Sequence, residues 1–222
     1  MRLVPTNDCD TGWFLDPGRI GNGVGNTRHV LLVLNMVAKE QRSGPAIMRI
    51  AQIAPLAESV PPKLYGGTER VVAWLVDELV SLGHEVTLFA SGDSRTRGKL
   101  HPVWPRALRL SRPAADPAAA CAALLEAIAQ RVEYFDVVHS HIDWLHLPLL
   151  SRLGVPFLTT MHGRHDLPGL SDVVRQFPDA SFVSISDNQR LPLPRANWRG
   201  TVHHGLPADL FHPWARSVVV PR

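Results

Sequence analysis

The stretch Met48-Arg-Ile-Ala-Gln-Ile-Ala-Pro55 decides the fold, because it opens a regular alternation of short apolar runs and longer helical segments. Strands separated by helices in this way are typical of βαβ units and a parallel sheet. The sequence therefore predicts an α/β fold built on a doubly wound, Rossmann-like parallel sheet. Six strands are expected, at residues 49–54, 85–90, 136–140, 156–160, 181–185 and 200–203.

Two of the intervening segments carry helical signals. Thr68 is a candidate N-cap for a helix that ends at Gly83. Residues 118–132 are alanine-rich and predict a second helix, whereas the proline-containing stretch 95–117 is expected to be exposed and irregular. The apolar positions of the first helix form roughly one stripe, at Val71, Val72, Leu75, Leu79 and Leu82.

Residues 1–47 differ from the rest of the chain, because helix-breaking clusters occupy residues 18–26 and 41–45. We expect 1–47 to be an irregular, poorly ordered extension, followed by one domain at 48–213 and a short tail at 214–222. The apolar run at 30–38 is about half as long as a membrane-spanning helix and lies too far from the first residue for a signal peptide. No transmembrane segment is expected.

Charge and cysteine usage narrow the function classes. The net charge is +3 and the basic residues are scattered, so no nucleic-acid partner is indicated. Cys9 and Cys121 lie far apart without metal-binding spacing, which predicts free thiols and a cytoplasmic location.

Glycines and polar residues follow the first predicted strand. Gly66 and Gly67 precede the first helix, where glycine allows a close approach of the backbone and the free N–H groups attract a phosphate or another anion. A tight turn without a ligand explains the pair equally well. Glu69 is either a polar residue of the cleft or a helix-start carboxylate that suits the dipole.

Histidines lie at the ends of the third and fourth strands. His139, His141 and Asp143 alternate as at the start of a hydrolase metal motif, but Trp144 stands where that motif requires a further histidine. A polar cleft wall is therefore favoured over a metal site, and structural hydrogen bonding is the remaining interpretation. His162 lies between a strand end and a glycine, where a neutral imidazole can hydrogen-bond a sugar hydroxyl or a carbonyl. Taken alone, this position favours the alternative, a histidine satisfied by nearby backbone.

Two further polar residues follow the last strands. Ser186 is both a plausible helix cap and a plausible phosphate contact, and it lacks the flanking glycines of a nucleophile elbow. His204 precedes Gly205, which allows a sharp turn after the sixth strand.

Taken in order, these motifs resemble glycosyltransferase family 4 over most of residues 48–213. The matching segments are Met48 to Pro55, Pro61 to Arg70, Leu82 to Asp93, Asp136 to His141, Thr160 to Gly163, Ser184 to Ser186 and Val202 to Pro207.

The resemblance implies the N-terminal, acceptor-side half of a GT-B fold, and a retaining transfer of sugar from a nucleotide sugar to an unknown acceptor, without metal or cofactor. It places Gly66 and Gly67 beside the donor phosphates. His162 is implied as the catalytic residue that hydrogen-bonds the donor sugar and stabilises charge. The remaining substrate-binding or donor-binding residues implied by the family are Glu69, His141, Ser186 and His204. Many relatives have asparagine at the last of these positions, and histidine there resembles a bacterial subgroup.

The sequence departs from the family after Pro213, because no Gly-Arg, downstream lysine or Glu-x7-Glu motif of the donor-binding domain follows. Little or no activity is therefore expected from this chain alone, and a separately encoded C-terminal domain is a possible partner. Two alternatives are a non-catalytic sugar- or nucleotide-binding remnant and, less favoured, a metal-dependent hydrolase using His139, His141 and Asp143.

Overall fold

The computed structural model describes residues 24–39, 47–109, 111–207 and 210. Within these ranges one sheet contains seven strands. They are β1 (Arg49–Ile53), β2 (Glu85–Ser91), β3 (Lys99–Trp104), β4 (Val137–Ser140), β5 (Phe157–Met161), β6 (Ser181–Ser184) and β7 (Trp198–Thr201).

The sheet is wound in two directions from its middle. Its strand order is β3-β2-β1-β4-β5-β6-β7, and every neighbouring pair is parallel. The chain builds outward from β1 to β3 and then returns to the other side of β1 with β4. The predicted doubly wound, Rossmann-like parallel sheet is confirmed. The order reverses between β1 and β4, so the carboxyl ends of these strands form the crevice in which such sheets bind ligands.

Six α-helices are described, together with one short 3-10 turn at Val132–Tyr134. None of them is long and apolar enough to cross a membrane. The helices are α1 (Val24–Lys39), α2 (Gly67–Ser81), α3 (Pro117–Ala129), α4 (Leu147–Leu153), α5 (Leu170–Arg175) and α6 (Asp187–Arg190).

The helices cover the sheet on both faces, so strand residues alternate between two hydrophobic clusters. Residues of α1 and α2 share one cluster with Ile50, Leu88 and Leu158. Residues of α3 and α4 share the other with Ala51, Phe89 and Val138, and α5 packs in a third cluster beside it with Phe182.

Residues 1–47 are expected to be a poorly ordered extension, but they contain helix α1. Its positions Val30, Val33, Leu34 and Val37 are buried and belong to the cluster of α2 and the sheet. Their spacing is that of one helix face, which the glycine-rich neighbouring sequence concealed. The rest of the expected extension before residue 47, and the tail at 214–222, lie outside the described residues.

The expectation that residues 95–117 form an irregular insertion is wrong, because they contain strand β3. It pairs with β2 from Lys99 to Trp104 and contains Pro102. Proline cannot donate to a strand ladder, but an edge strand leaves one side of its backbone unpaired, so proline is tolerated there. The sequence signal was weak because an edge strand is only half-buried.

The start of α2 also differs from the prediction. The helix begins two residues earlier, at Gly67, its N-cap is Gly66, and no side chain caps it. Thr68 therefore lies inside the first turn and is not the cap.

Candidate functional site at the carboxyl edge

The loop between β1 and α2 is fixed in shape by Gly66. Its φ of 148° is a backbone conformation that favours glycine, and a Cβ atom there would lie 2.7 Å from Cβ of Pro62. Gly67, in contrast, is exposed and has open space where a Cβ would be. The backbone at the start of α2 is therefore approachable from solvent at Gly67, as a ligand contact would require.

Glu69 lies beneath this loop. It is 4% exposed, and its carboxylate accepts a hydrogen bond from the backbone N–H of Glu58. Burial is the largest cause of the raised pKa of Glu69, and the charge of Glu58 also raises it. In this arrangement the carboxylate supports the loop and does not face an open cleft.

The positive charge of Arg109 lies beside the two buried carboxyl groups, those of Glu58 and Glu69. Sequence reasoning missed this contact. The guanidinium Nε of Arg109 lies 3.1 Å from a carboxylate oxygen of Glu58, which is 3% exposed, and the group sits 5.1 Å from the ring centre of Tyr65. Arg109 falls in the stretch that was expected to be irregular. Only the tertiary structure brings it to Glu58, because the backbone of 108–109 bonds to that of 56–57.

A continuous chain of hydrogen bonds runs from the sheet interior to the crevice. It starts at Thr160 and His139 (2.8 Å), passes through the Gln52 side chain (3.2 Å to His139 and 2.9 Å to His141), and continues to His162 (2.9 Å). It ends at exposed His204, whose Nε2 lies 3.1 Å from Nδ1 of His162. Four imidazoles and one amide thus form a single polar path.

Low pKa values keep the inner rings of this chain uncharged. Burial lowers the pKa of both His139 and His162 to about 3. For His141, burial together with the neighbouring imidazoles lowers the pKa well below its usual range. At neutral pH each of these rings therefore carries one N–H group and one lone pair.

Gln52 gives the chain a direction. Its amide oxygen can only accept, so His141 donates from Nε2 and accepts at Nδ1. The same logic makes His162 donate from Nε2 and accept at Nδ1, and makes His204 donate from Nε2. On the other side the amide nitrogen donates to Nδ1 of His139. One buried amide sets the tautomer of every ring in the chain.

Gln189 holds the strand end that carries His162. Its side-chain amide donates to the carbonyls of Met161 (3.1 Å) and Gly163 (2.9 Å) and accepts from the N–H of Ile185 (2.9 Å). Ser186 accepts from the N–H of Gln189 at 3.2 Å and so caps α6. This contact supports the interpretation of Ser186 as a helix cap. Gln189 was missed because a single glutamine in a helical turn has no distinguishing pattern.

The predicted site residues are thus divided by their contacts. His141, His162 and His204 are joined in the histidine chain, whereas the side chain of Glu69 bonds within its loop and that of Ser186 within its helix. Gly66 and Gly67 follow β1, so they lie at the same edge of the sheet as the histidines that follow β4 and β5.

The metal triad of the less favoured hydrolase alternative is not assembled in the described part of the chain. There, no group of three or more histidine, cysteine, aspartate or glutamate residues is placed to hold a metal ion. Both ring nitrogens of His139 are bonded to Gln52 and Thr160, and Asp143 accepts from the backbone N–H of His162.

His146 belongs to a separate polar cluster on the opposite face of the sheet. Its ring bonds Ser140 (2.9 Å) and Thr159 (2.8 Å), and burial lowers its pKa to about 3. This histidine is satisfied internally and links β4 to β5.

Comparison with known proteins adds a family match. The model described as Glycosyltransferase Family 4 matches residues 65–220, which extends past residue 213 into the tail. No curated protein matches the sequence.

Several solved structures are similar to the chain. AviGT4, a glycosyltransferase involved in avilamycin A biosynthesis, is 24% identical, with a TM-score of 0.41, over 66% of this chain and 39% of its own. A sucrose-phosphate synthase from Thermosynechococcus elongatus is 14% identical, with a TM-score of 0.47, over 72% of this chain and 90% of its own. MurG from Acinetobacter baumannii is 12% identical, with a TM-score of 0.43, over 72% of this chain and 46% of its own. The chain therefore spans well under half the length of AviGT4.

Proposed function

Because the chain belongs to glycosyltransferase family 4, we propose that it forms the acceptor-side domain of an enzyme that transfers a sugar from a nucleotide to an acceptor with retention of configuration. The observation that carries the proposal is the uncharged histidine chain ending at the carboxyl edge of β4 and β5. Sugars present many hydroxyl groups, and neutral imidazoles can both donate to and accept from them.

His162 is the group we assign to the donor sugar. Its Nδ1 is the outermost accepting atom of the inner rings of the chain, and it is covered only by exposed His204 within the described contacts. A sugar hydroxyl that takes the place of His204 donates to this nitrogen. The ring then acts as a fixed dipole beside the anomeric carbon as the bond to the diphosphate breaks, which stabilises developing charge without reorganisation.

The remaining residues position this group and the phosphates. His141 holds the ring of His162 at 2.9 Å, and Ser186 supports the helix that carries Gln189. Gly67 exposes the N–H groups at the start of α2, a helix of 15 residues, toward the donor diphosphate. Glu69 keeps the loop in the shape that brings Gly66 and Gly67 to this edge.

We propose that the groups that bind the nucleotide are supplied from outside residues 48–213, for example by a separately encoded C-terminal domain, and that neither metal nor cofactor takes part. Losing donors to the diphosphate costs a few kcal/mol each, so the chain alone is expected to turn over several orders of magnitude more slowly than a complete enzyme. The cytoplasmic location stays a prediction.

Radiolabelled UDP- and GDP-sugars test whether this chain alone is active. We expect neither hydrolysis nor transfer above background from the chain alone. Measurable turnover contradicts that expectation and makes the chain a complete catalyst. If sugars bind but no added C-terminal family domain restores turnover, the chain is instead a non-catalytic binding remnant.

Calorimetric titration with the same sugars tests His162. Replacing His162 with alanine removes one hydrogen bond and is expected to weaken binding by about 2- to 10-fold, the equivalent of 0.5–1.5 kcal/mol. His101→Gln is the matched control, since His101 lies on β3 at the far edge of the sheet. Equal weakening by both changes, or none by His162→Ala, contradicts the assignment.

A further inference from the structure

A cavity of about 440 Å³ opens beside the histidine chain. Its walls come from the end of β1, the segment before α3, α3 itself and the turn after β4. It therefore lies at the carboxyl edge of the sheet, on the face covered by α3 and α4.

The cavity wall is mostly apolar. Only three of its described lining residues are polar, namely Arg109, His141 and Asp143. The others are apolar side chains, including Leu56, Ala115, Cys121, Leu124, Ile142 and Leu145. An apolar wall with a few polar groups at one end is typical of a site for a small organic molecule.

The polar residues leave no free positive charge on the wall. The guanidinium of Arg109 lies 3.1 Å from buried Glu58, and the low pKa of His141 leaves its ring neutral. Both nitrogens of His141 are hydrogen-bonded, so the ring offers only carbon atoms to the cavity. Asp143 adds a carboxylate. An anionic ligand group is therefore disfavoured, and an uncharged apolar group is favoured.

The volume sets the size of the group. A 150 Å³ apolar cavity holds one benzene ring, so 440 Å³ has room for roughly two fused rings or a medium-length alkyl chain. A single sugar ring with its hydroxyls would find few hydrogen-bond partners on this wall.

The cavity meets the proposed reaction centre through His141. This residue lines the cavity and bonds His162 at 2.9 Å. A molecule whose apolar part fills the cavity therefore places an attached hydroxyl beside the two histidines.

We propose that this cavity binds the apolar part of an uncharged, hydroxyl-bearing acceptor, either a fused-ring system or an alkyl alcohol. A role as acceptor rests on the proposed glycosyl transfer, whereas the binding of an apolar alcohol does not.

Cys121 provides a reporter inside the cavity, because it is half-buried and lines the wall. In the full-length Cys9→Ser chain, alkylation of Cys121 is followed by mass spectrometry with saturating β-naphthol, n-octanol or myo-inositol. We expect naphthol or octanol to slow alkylation at least about fivefold, since a bound ligand protects the thiol in proportion to occupancy, and inositol to leave the rate unchanged. Protection by neither alcohol, or equal protection by inositol, overturns the proposal.

Two variants locate the binding. Ala115→Phe fills the cavity, whereas Ala122→Phe adds the same ring at an exposed position of α3 that does not line it. The first is expected to weaken binding of the protecting alcohol at least about tenfold and the second to leave it unchanged. Equal binding by both variants overturns the assigned site. The proposed function is tested separately. If the chain binds the alcohol but no nucleotide sugar, the assignment of the cavity stands and the proposed glycosyl transfer does not.

Discussion

At the residue scale, Gln52 is the most consequential side chain that sequence reasoning did not select. It is fully buried in β1, and its amide bonds two histidines that follow it by almost 90 positions. The parallel register explains the contact, because Gln52 is the direct partner of His139 across β1 and β4. No pattern within one strand reveals such a pairing.

Replacing Gln52 with leucine is expected to leave Nδ1 of His139 and Nε2 of His141 without partners. At about 1–3 kcal/mol for each orphaned buried group, the free energy of unfolding falls by about 2–6 kcal/mol. In ¹⁵N spectra of the imidazoles, His141 and His162 should also lose their single tautomer. Gln130→Leu, at an exposed position, is the control and should change neither quantity. Unchanged imidazole spectra in folded Gln52→Leu would contradict the tautomer assignment.

At the element scale, the buried strands were easier to predict than the edges of the fold. The strands from β1 through β6, apart from β3, are mostly buried, and each appeared as a short apolar run within two residues of its observed bounds. β3 was missed because an edge strand with Pro102 has no apolar alternation. α1 was missed because the surrounding glycines outweighed the spacing of its four buried residues.

Leu34 and Met36 test whether α1 is part of the domain. Leu34 is fully buried in the cluster shared with α2, whereas Met36 is 55% exposed on the same helix. Leu34→Ala should lower the free energy of unfolding by about 2–5 kcal/mol, and Met36→Ala by less than about 0.5 kcal/mol. Urea unfolding measures both. Equal, small effects would mean that α1 does not contribute to the core.

Gly66 and Gly67 make a second matched pair. Alanine at Gly66 meets Pro62 at 2.7 Å and adopts a strained φ, so a loss of at least about 1–3 kcal/mol is expected. Alanine at Gly67 enters open space in the first turn of α2 and should change stability by less than about 1 kcal/mol. Thermal unfolding of the two variants checks the order. A stable Gly66→Ala variant would show that the loop has another accessible shape.

At the scale of the whole molecule, buried neutral histidines make the domain sensitive to acid. Four rings, those of His139, His141, His146 and His162, have lowered pKa values in the folded chain. Once unfolded they titrate near 6.5, so between that pH and about 3 the unfolded chain binds more protons. Stability therefore rises with pH across this window and is lost as the pH falls.

Replacing His146 with glutamine removes one of these titrating imidazoles, and His146 lies away from the proposed site. Each such histidine adds a slope of up to about 1.4 kcal/mol per pH unit to the free energy of unfolding. Urea unfolding between pH 6 and 4 should therefore give a shallower pH dependence for the variant, by about this amount. Glu69, whose raised pKa acts in the opposite direction, is common to both proteins and cancels in the difference. Parallel curves would mean that His146 is protonated in the folded chain.

The position of the candidate site in the fold was predictable, but the hydrogen bonds within it were not. Strand-ending motifs at Gly66, His141, His162 and His204 had to fall at one edge, because all strands run in the same direction. That Glu69 turns inward and that the histidines bond to one another depends on loop and side-chain packing between distant segments, which no local pattern encodes.

The most direct test of the account is an NMR titration of the full chain with a panel of UDP- and GDP-sugars. With at least one sugar, we expect the amides of Gly66 and Gly67 and the imidazole of His162 to shift together, with a common affinity. His84, which accepts from the backbone N–H of Met48 next to the amino-terminal end of β1, should not shift. If no sugar moves these resonances, or if the shifts centre on His84, the carboxyl edge is not the sugar site.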